Sequence, residues 1–217
     1  MNSAVIVAAG KGKRFGNGIP KQFRKILGRD VIDYSLSKFI NHSNIDEVII
    51  VCHYEWLEYL KKRYGDCKII EGGKTRNKSV FKGIKSVSKK SKKILIHDAA
   101  RPIIATKLIN ECIYNLDKYD CVAPIIDIKD SIVRIDKKNK TFIDRNEIKI
   151  VQTPQCFNTH IINELYNDST NSTDEISLAL KENTKYKIKF ISGSQNNIKI
   201  TTLGDLVIAE SILKEDA

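Results

Sequence analysis

Two short stretches of this sequence set glycines beside cationic side chains, an arrangement that lets a backbone approach an anion. The first is Ala8-Ala-Gly-Lys-Gly-Lys-Arg14, continued by Gly16 and by Pro20-Lys-Gln22. Gly10, Gly12 and Gly16 lack Cβ atoms, so the main chain can turn its N–H groups inward, and Lys11, Lys13 and Arg14 add formal positive charge. The spacing is neither G-x-G-x-x-G nor G-x-x-x-x-G-K-[ST], which disfavours a dinucleotide fingerprint and a Walker loop. The second stretch is Gly72-Gly-Lys-Thr-Arg-Asn-Lys-Ser79, where glycines run into the start of a helix with Arg76 and Lys78 close by. Taken singly, the first could be a surface turn with incidental lysines, and the second a strand-to-helix turn capped by Thr75 or Asn77. A third candidate is Asp98, in His97-Asp-Ala-Ala-Arg-Pro102. A carboxylate there could hold a divalent cation against phosphate oxygens, or cap a helix, or pair with Arg101. His97 reads as a packing or supporting residue rather than a base. Cys52 and Cys156 sit in no arrangement that suits a nucleophile, and no serine elbow is present.

Positioning these residues requires a scaffold, and the apolar pattern predicts one. A near-continuous apolar run at 4–8 suits a buried parallel strand, and Ile32, Leu36, Phe39 and Ile40 form a helical stripe. Further strands are predicted at 47–52, 68–70 and 94–97, alternating with helices around Trp56, Leu57 and Leu60, over 77–87, and around Leu108 to Leu116. Such alternation requires an α/β fold: a Rossmann-like, mostly parallel sheet flanked by helices. Both glycine loops and Asp98 then open on the carboxyl edge of that sheet, where ligands bind, which favours a nucleotide or phosphorylated ligand. The regularity breaks at 127–145, where two short alternating segments flank Lys-Lys-Asn and read as a projecting β-hairpin arm. A two-stranded ribbon cannot bury both faces alone, so it lies on its own sheet or on a second subunit. Beyond it, strands are predicted at 148–152, 186–191 and 197–201, with helices at 159–166, from 174, and at 206–213. With no repeat and no clean boundary, residues 1–217 are expected to form one domain carrying 127–145 as an insertion.

The net charge of +11 first suggests nucleic acid, but its distribution argues otherwise. Residues 61–93 hold 13 Lys and Arg against 2 Asp and Glu, and the rest of the chain carries 24 of each sign. Only Tyr64 and Phe81 are aromatic in that stretch, whereas a general nucleic-acid binder interleaves basic charge with stacking surfaces. No apolar run approaches the roughly 18 residues of a membrane span, and the N-terminus reads directly into a strand rather than a signal peptide. Cys52, Cys67, Cys112, Cys121 and Cys156 are scattered and odd in number, which predicts free thiols in a reducing cytoplasm rather than zinc or disulfides.

Together the motifs form a pattern spread over the whole chain. To those above they add Thr153-Pro-Gln155, Thr173-Asp-Glu175 and Asn197-Ile-Lys-Ile-Thr201. In this order the sequence resembles the alditol-phosphate cytidylyltransferases, a family that contains methylerythritol-phosphate and ribitol-phosphate enzymes. The resemblance implies a CTP-dependent nucleotidyltransferase that uses Mg2+ and an alditol phosphate. It places Arg14, Lys21 and Lys199 around the triphosphate as catalytic cations. It gives the nucleotide Ala8, Ala9, Gly10 and Gly12 of the first loop and Gly73, Arg76 and Ser79 of the second. Asp98 matches an acidic position near the metal and the substrate. On the acceptor side it implies Arg145, Thr153, Thr173 and Asp174, with the arm crossing to the partner of a homodimer. The motifs around His97, Asp130 and Thr173 favour 2-C-methyl-D-erythritol 4-phosphate as acceptor, and hence isoprenoid precursor synthesis. Glu55-Trp56 and the Asn197 motif keep ribitol 5-phosphate as the alternative. Lys74 and the 144–149 segment depart from both patterns. A non-catalytic nucleotide sensor and a basic RNA-binding protein are the readings from other classes.

Overall fold

Val5, Ile6 and Val7 are β-branched, and the strand they build lies inside the sheet with a parallel neighbour on each side. The computed structural model describes residues 1–12, 15, 18–137, 139–172 and 174–215. Its first half runs β1 (Asn2–Ala8), a 3-10 turn at Lys21–Phe23, β2 (Lys25–Ile26), β3 (Arg29–Asp30), α1 (Val31–Ile40), β4 (Glu47–Cys52), a 3-10 turn at Tyr54–Trp56, α2 (Leu57–Arg63), β5 (Lys68–Glu71), α3 (Arg76–Ser86), β6 (Lys93–Asp98) and α4 (Thr106–Asn115). There follow β7 (Cys121–Asp127), β8 (Ile132–Ile135), β9 (Lys140–Ile143), β10 (Lys149–Val151), β11 (Gln155–Asn158), α5 (Thr159–Leu165), α6 (Ile176–Lys181), β12 (Ile188–Ser192) and α7 (Leu203–Glu215).

The main sheet has the order β10-β7-β11-β6-β1-β4-β5, with β12 also paired to β7. The β1/β4, β1/β6, β4/β5 and β7/β12 pairs are parallel, so the expected α/β architecture is present. It is mixed, because β11 runs antiparallel between β6 and β7 and β10 antiparallel to β7. Strand period two sends alternate residues to opposite faces, and both are covered. Ala4, Ile6, Ile50 and Leu95 pack under Ile32, Leu36 and Phe39 of α1 and Ile109 and Cys112 of α4. Val5, Ile49, Val51 and Ile96 pack under Val80 and Ile84 of α3, Ile162 of α5 and Ala179 of α6. Each fully buried aliphatic side chain contributes about 1.5–3 kcal/mol, which explains why these strands read as unbroken apolar runs. A third, smaller cluster joins Phe15, Ile26, Val31, Ile200 and Ala209, with Leu206 and Leu213 of α7 against it.

The predicted hairpin is present as β8 and β9, a separate two-stranded sheet with Ile132 opposite Ile143 and Val133 opposite Phe142. Ile135 is 71% and Phe142 77% exposed, so this ribbon leaves these two apolar side chains uncovered within one chain. Residues 197–201, expected as a strand, form an irregular segment instead. Its Ile200 N–H donates to Ala100, while the Asn197 and Ile200 carbonyls accept from the side chains of Arg101 and Lys21, so no ladder forms. No helix among the described residues is long and apolar enough to cross a membrane.

Candidate active site

The first loop begins where β1 ends. Gln22, 3% exposed, reaches back from the 3-10 turn and donates its Nε2 protons to the Ala8 and Gly10 carbonyls at 2.7 and 2.8 Å. Two oxygen dipoles that would repel an anion are thereby occupied. Gly12 adopts φ +65°, a left-handed conformation that strains any residue bearing Cβ, and its carbonyl accepts from the Phe15 N–H at 2.7 Å. Phe15 then anchors the loop in the third apolar cluster. Arg14, expected as a catalytic cation, lies outside the described residues.

The second loop is packed against the first. A Cβ on Gly72 would stand 2.5 Å from Cβ of Ala9 and 2.8 Å from Oγ of Ser79, so only glycine allows the two loops to meet. Gly72 N–H donates to the Cys52 carbonyl at 2.8 Å, and Gly73 N–H donates to Ser79 Oγ at 3.0 Å. Thr75 caps α3 by accepting from the Lys78 N–H.

Asp98, at the end of β6, lies among cations. Its Oδ1 accepts from Nε and Nη2 of Arg76 at 3.2 and 3.1 Å, and its Oδ2 pairs with Lys199 Nζ at 2.5 Å. Burial alone would raise the Asp98 pKa, but Arg76, Lys199 and Arg101 outweigh it and hold the carboxyl well below its ordinary value. Arg76 also grips both oxygens of Glu175, with Nη1–Oε1 at 2.6 Å and Nη2–Oε2 at 3.1 Å. Glu175 is wholly buried, and the desolvation raises its pKa against the pull of Arg76.

The remaining polar groups brace this centre. Thr153 Oγ1 accepts the Asp98 N–H at 3.2 Å and stands 3.0 Å from Nδ1 of His97, whose Nε2 is 3.2 Å from the Arg101 carbonyl. With the Nε2 proton donated to that carbonyl, Nδ1 accepts from the threonine hydroxyl, so neutral His97 has both nitrogens in use. Burial lowers its pKa to about 4, which keeps it neutral at ordinary pH. Arg101 Nη1 donates to the Asn197 carbonyl at 2.7 Å, and Asn197 Nδ2 donates to the Thr153 carbonyl at 2.9 Å. Lys21 Nζ donates to the Ile200 carbonyl at 2.5 Å, tying the first loop to the segment that carries Lys199.

A cavity of about 760 Å³ opens between these elements. Of the residues expected around the nucleotide and metal, it is lined by Ala8, Ala9, Gly10, Gly12, Lys21, Gly73, Arg76, Ser79, Asp98 and Lys199. Thr153 is not on the lining; it is 4% exposed, with its hydroxyl turned to His97 and Asp98. Asp174 accepts the Ser177 N–H at 2.9 Å at the start of α6, and Thr173 lies outside the described residues. Arg145, the last residue of the arm, is exposed and donates to the Lys129 carbonyl at 2.6 Å. His53, Tyr54 and Lys82 also line the cavity, without any motif to announce them. For His53 and Tyr54 the available signal was position: they follow β4 at the same carboxyl edge. They put two aromatic rings, with centroids 4.4 Å apart, on the wall of the cavity.

Two cationic loops and a lysine-paired aspartate on one cavity suit a nucleoside triphosphate. Comparison with known proteins narrows this, because the pattern of one family, 2-C-methyl-D-erythritol 4-phosphate cytidylyltransferase, matches residues 2–215. The chain belongs to that family. A family member from Clostridium botulinum (strain 657 / Type Ba4) is 38% identical over 226 residues, covering 99% of this chain and 98% of the relative. The solved 4-diphosphocytidyl-2C-methyl-D-erythritol synthase of Anaerococcus prevotii superposes with a TM-score of 0.88 at 28% identity, covering 98% of this chain and 96% of that one. The family's likeness extends to a bifunctional ribulose 5-phosphate reductase/CDP-ribitol pyrophosphorylase of Haemophilus influenzae, 36% identical over 98% of this chain and 48% of that protein. As for a metal, no group of three or more His, Cys, Asp and Glu among the described residues is placed to hold one.

Proposed function

We propose that this enzyme joins CTP to 2-C-methyl-D-erythritol 4-phosphate, releasing pyrophosphate. A phosphate oxygen of the acceptor attacks the α-phosphorus of CTP, and the bond from that phosphorus to the oxygen bridging to the β-phosphate breaks. The observation that carries the reading is one cavity lined by both glycine loops, with Lys21 and Lys199 beside Asp98.

The acceptor phosphate is already anionic, so the reaction needs no strong base, and His97, buried and neutral, need not act as one. What it needs is alignment and relief of repulsion between phosphates. Lys199 sits on the cavity wall with its ammonium on Asp98, from which an incoming phosphate can take it. Lys21, held to the Ile200 carbonyl, approaches the same space from the first loop, where Arg14 would add a third cation. The backbone of residues 8–10, Gly12, Gly73 and Ser79 would receive the nucleotide, with His53 and Tyr54 beside it.

Magnesium, when bound, would neutralise charge on the triphosphate, with Asp98 as the residue that holds it. One carboxylate plus substrate phosphates suits that ion, and among the described residues Asp98 Oδ2 is paired with the partly exposed Lys199 amine. We read residues 1–217 as one nucleotidyltransferase domain in which 127–145 is an arm that docks on the partner of a homodimer. The uncovered Ile135 and Phe142 support this, as does Arg145 lying off this chain's own cavity, free to serve the partner's acceptor with Thr173 and Asp174. Five unpaired cysteines support a cytoplasmic setting.

The test is a side-by-side kcat/KM measurement with both acceptors at saturating magnesium and CTP, read as pyrophosphate release and product mass. Faster formation of CDP-methylerythritol is expected. The Haemophilus influenzae relative favours a second reading, ribitol 5-phosphate. A tenfold preference for that acceptor would replace the substrate while keeping the cytidylyl transfer.

A further inference from the structure

Glu175 is the one wholly buried carboxylate among the described residues, and nothing above gives it a task. Its backbone is fixed as firmly as its side chain. Gln155 of β11, 2% exposed, accepts the N–H groups of Glu175 and Ile176 on a single Oε1, both at 2.8 Å. The carboxylate then meets Arg76 across two parallel N–H···O bonds, the geometry with the highest directional demand among ion pairs. Ordering such a pair in the interior is not explained by stability, since a buried ion pair is on balance no better than apolar packing of the same volume.

We propose that Glu175 is a positioning residue for the transfer reaction: it holds Arg76 as a strut between two carboxylates, so that Asp98 keeps one oxygen turned to Lys199. The inference rests on the functional reading above. The bonding count supports it. A guanidinium has five N–H protons, and Arg76 uses four of them, two on Glu175 and two on Oδ1 of Asp98. One proton remains for any phosphate, so Arg76 acts on the reaction through Asp98 rather than by gripping the triphosphate.

The strut also sets the division of labour at Asp98. The Nη1–Nη2 edge of Arg76 is occupied by Glu175, which leaves the Nε side for Oδ1 and none for Oδ2. Oδ2 is therefore left to Lys199 at 2.5 Å. Without the Glu175 charge, the fork is free to turn and take both oxygens of Asp98, displacing the lysine. Glu175 thus protects the Asp98–Lys199 pair from a stronger competitor 22 residues away from Asp98 in the chain.

Three variants, Glu175→Gln, Arg76→Lys and the double substitution, test this with two readouts. The first is kcat per folded molecule, and the second is the Kd for magnesium-CTP measured by calorimetry without acceptor. In the two single variants kcat is expected to fall at least tenfold while CTP affinity stays within threefold. The double variant should be no slower than the slower single one, because both act through one strut. A merely structural Glu175 would lower the melting temperature and leave kcat per folded molecule unchanged. If Glu175→Gln does not fold, Arg76→Lys decides alone, since its side chain is 27% exposed and keeps the charge. A tenfold loss of CTP affinity in Arg76→Lys, turnover within twofold of wild type, or additive losses in the double variant each overturn the inference. A wild-type protein that makes no product with either acceptor fails the functional reading and this one with it. An active wild type with unaffected variants fails this one alone.

Discussion

Replacing Lys199 by methionine removes one positive charge from the cavity wall and leaves a stem of similar length. Lys199 is 37% exposed on its side chain and sits 2.5 Å from Asp98, which is only 9% exposed. Two unit charges at 4 Å attract by about 4 kcal/mol at an effective dielectric near 20, and the exposure of the lysine calls for a discount of about half. The remaining 2 kcal/mol or so, applied to charge that grows on the phosphates as the new bond forms, lowers kcat by about 30-fold. A donor aimed at a developing oxyanion reaches roughly 10²–10³, so the expected range is about 30- to 300-fold. Magnesium-CTP affinity should change little, since the lysine's partner in the free enzyme is Asp98. Stopped-flow pyrophosphate release at saturating substrates measures the first quantity, and calorimetry the second. Turnover within threefold of wild type, or a loss confined to CTP affinity, would refute a role for Lys199 in the chemical step.

Other perturbations read other parts of the site. His97 is fully buried with a pKa near 4, below the roughly 6.5 of an unfolded chain, so the unfolded state binds more protons between those values. Stability from this group is complete above about pH 6.5 and declines by about 3 kcal/mol as the pH falls to 4. His97→Gln should flatten that part of a denaturation series. Tyr54→Ala, at an exposed ring on the cavity wall, should raise the KM for CTP about three- to tenfold with kcat unchanged, as steady-state kinetics would show. Ile135→Asp combined with Phe142→Asp should shift sedimentation toward monomer and weaken acceptor use more than CTP binding.

Much of this was legible in the sequence, and for identifiable reasons. Glycine loops, the strand-end aspartate and the helical stripes are local signals, so the predicted strands at β1, β4, β5 and β6 all form, within a residue or two of their expected ends. The 197–201 segment shows how a correct pattern can mislead. Its alternation does send Ile200 into a core and Lys199 to the cavity, as a strand would, but its hydrogen bonds go to the loops it holds in place. β11 was missed because a four-residue strand beside a proline has no signature apart from its partners, β6 and β7. The strut was hidden for a related reason. Arg76 and Glu175 are 99 residues apart, and a buried carboxylate is recognisable only when the group that neutralises it is in view.

The place of β5 in the sheet gives the basic segment a meaning beyond ligand binding. This strand is an end of the sheet's order, only four residues long, and bonded on one side to β4. Open strand ends are templates for unwanted pairing between molecules. Here the exposed Lys61, Lys62, Arg63, Lys68, Lys85, Lys89, Lys90 and Lys92 come from the strand and from the segments on either side of it in the chain. With a pI near 9.3, every copy in neutral solution carries the same sign, and concentrates it in the segment that contains the open strand. Two such edges repel before they can zip together, which guards the molecule against aggregation while it stands at high concentration. Salt sets the reach of that guard, about 10 Å at 0.1 M and about 3 Å at 1 M, so colloidal stability should decline as ionic strength rises.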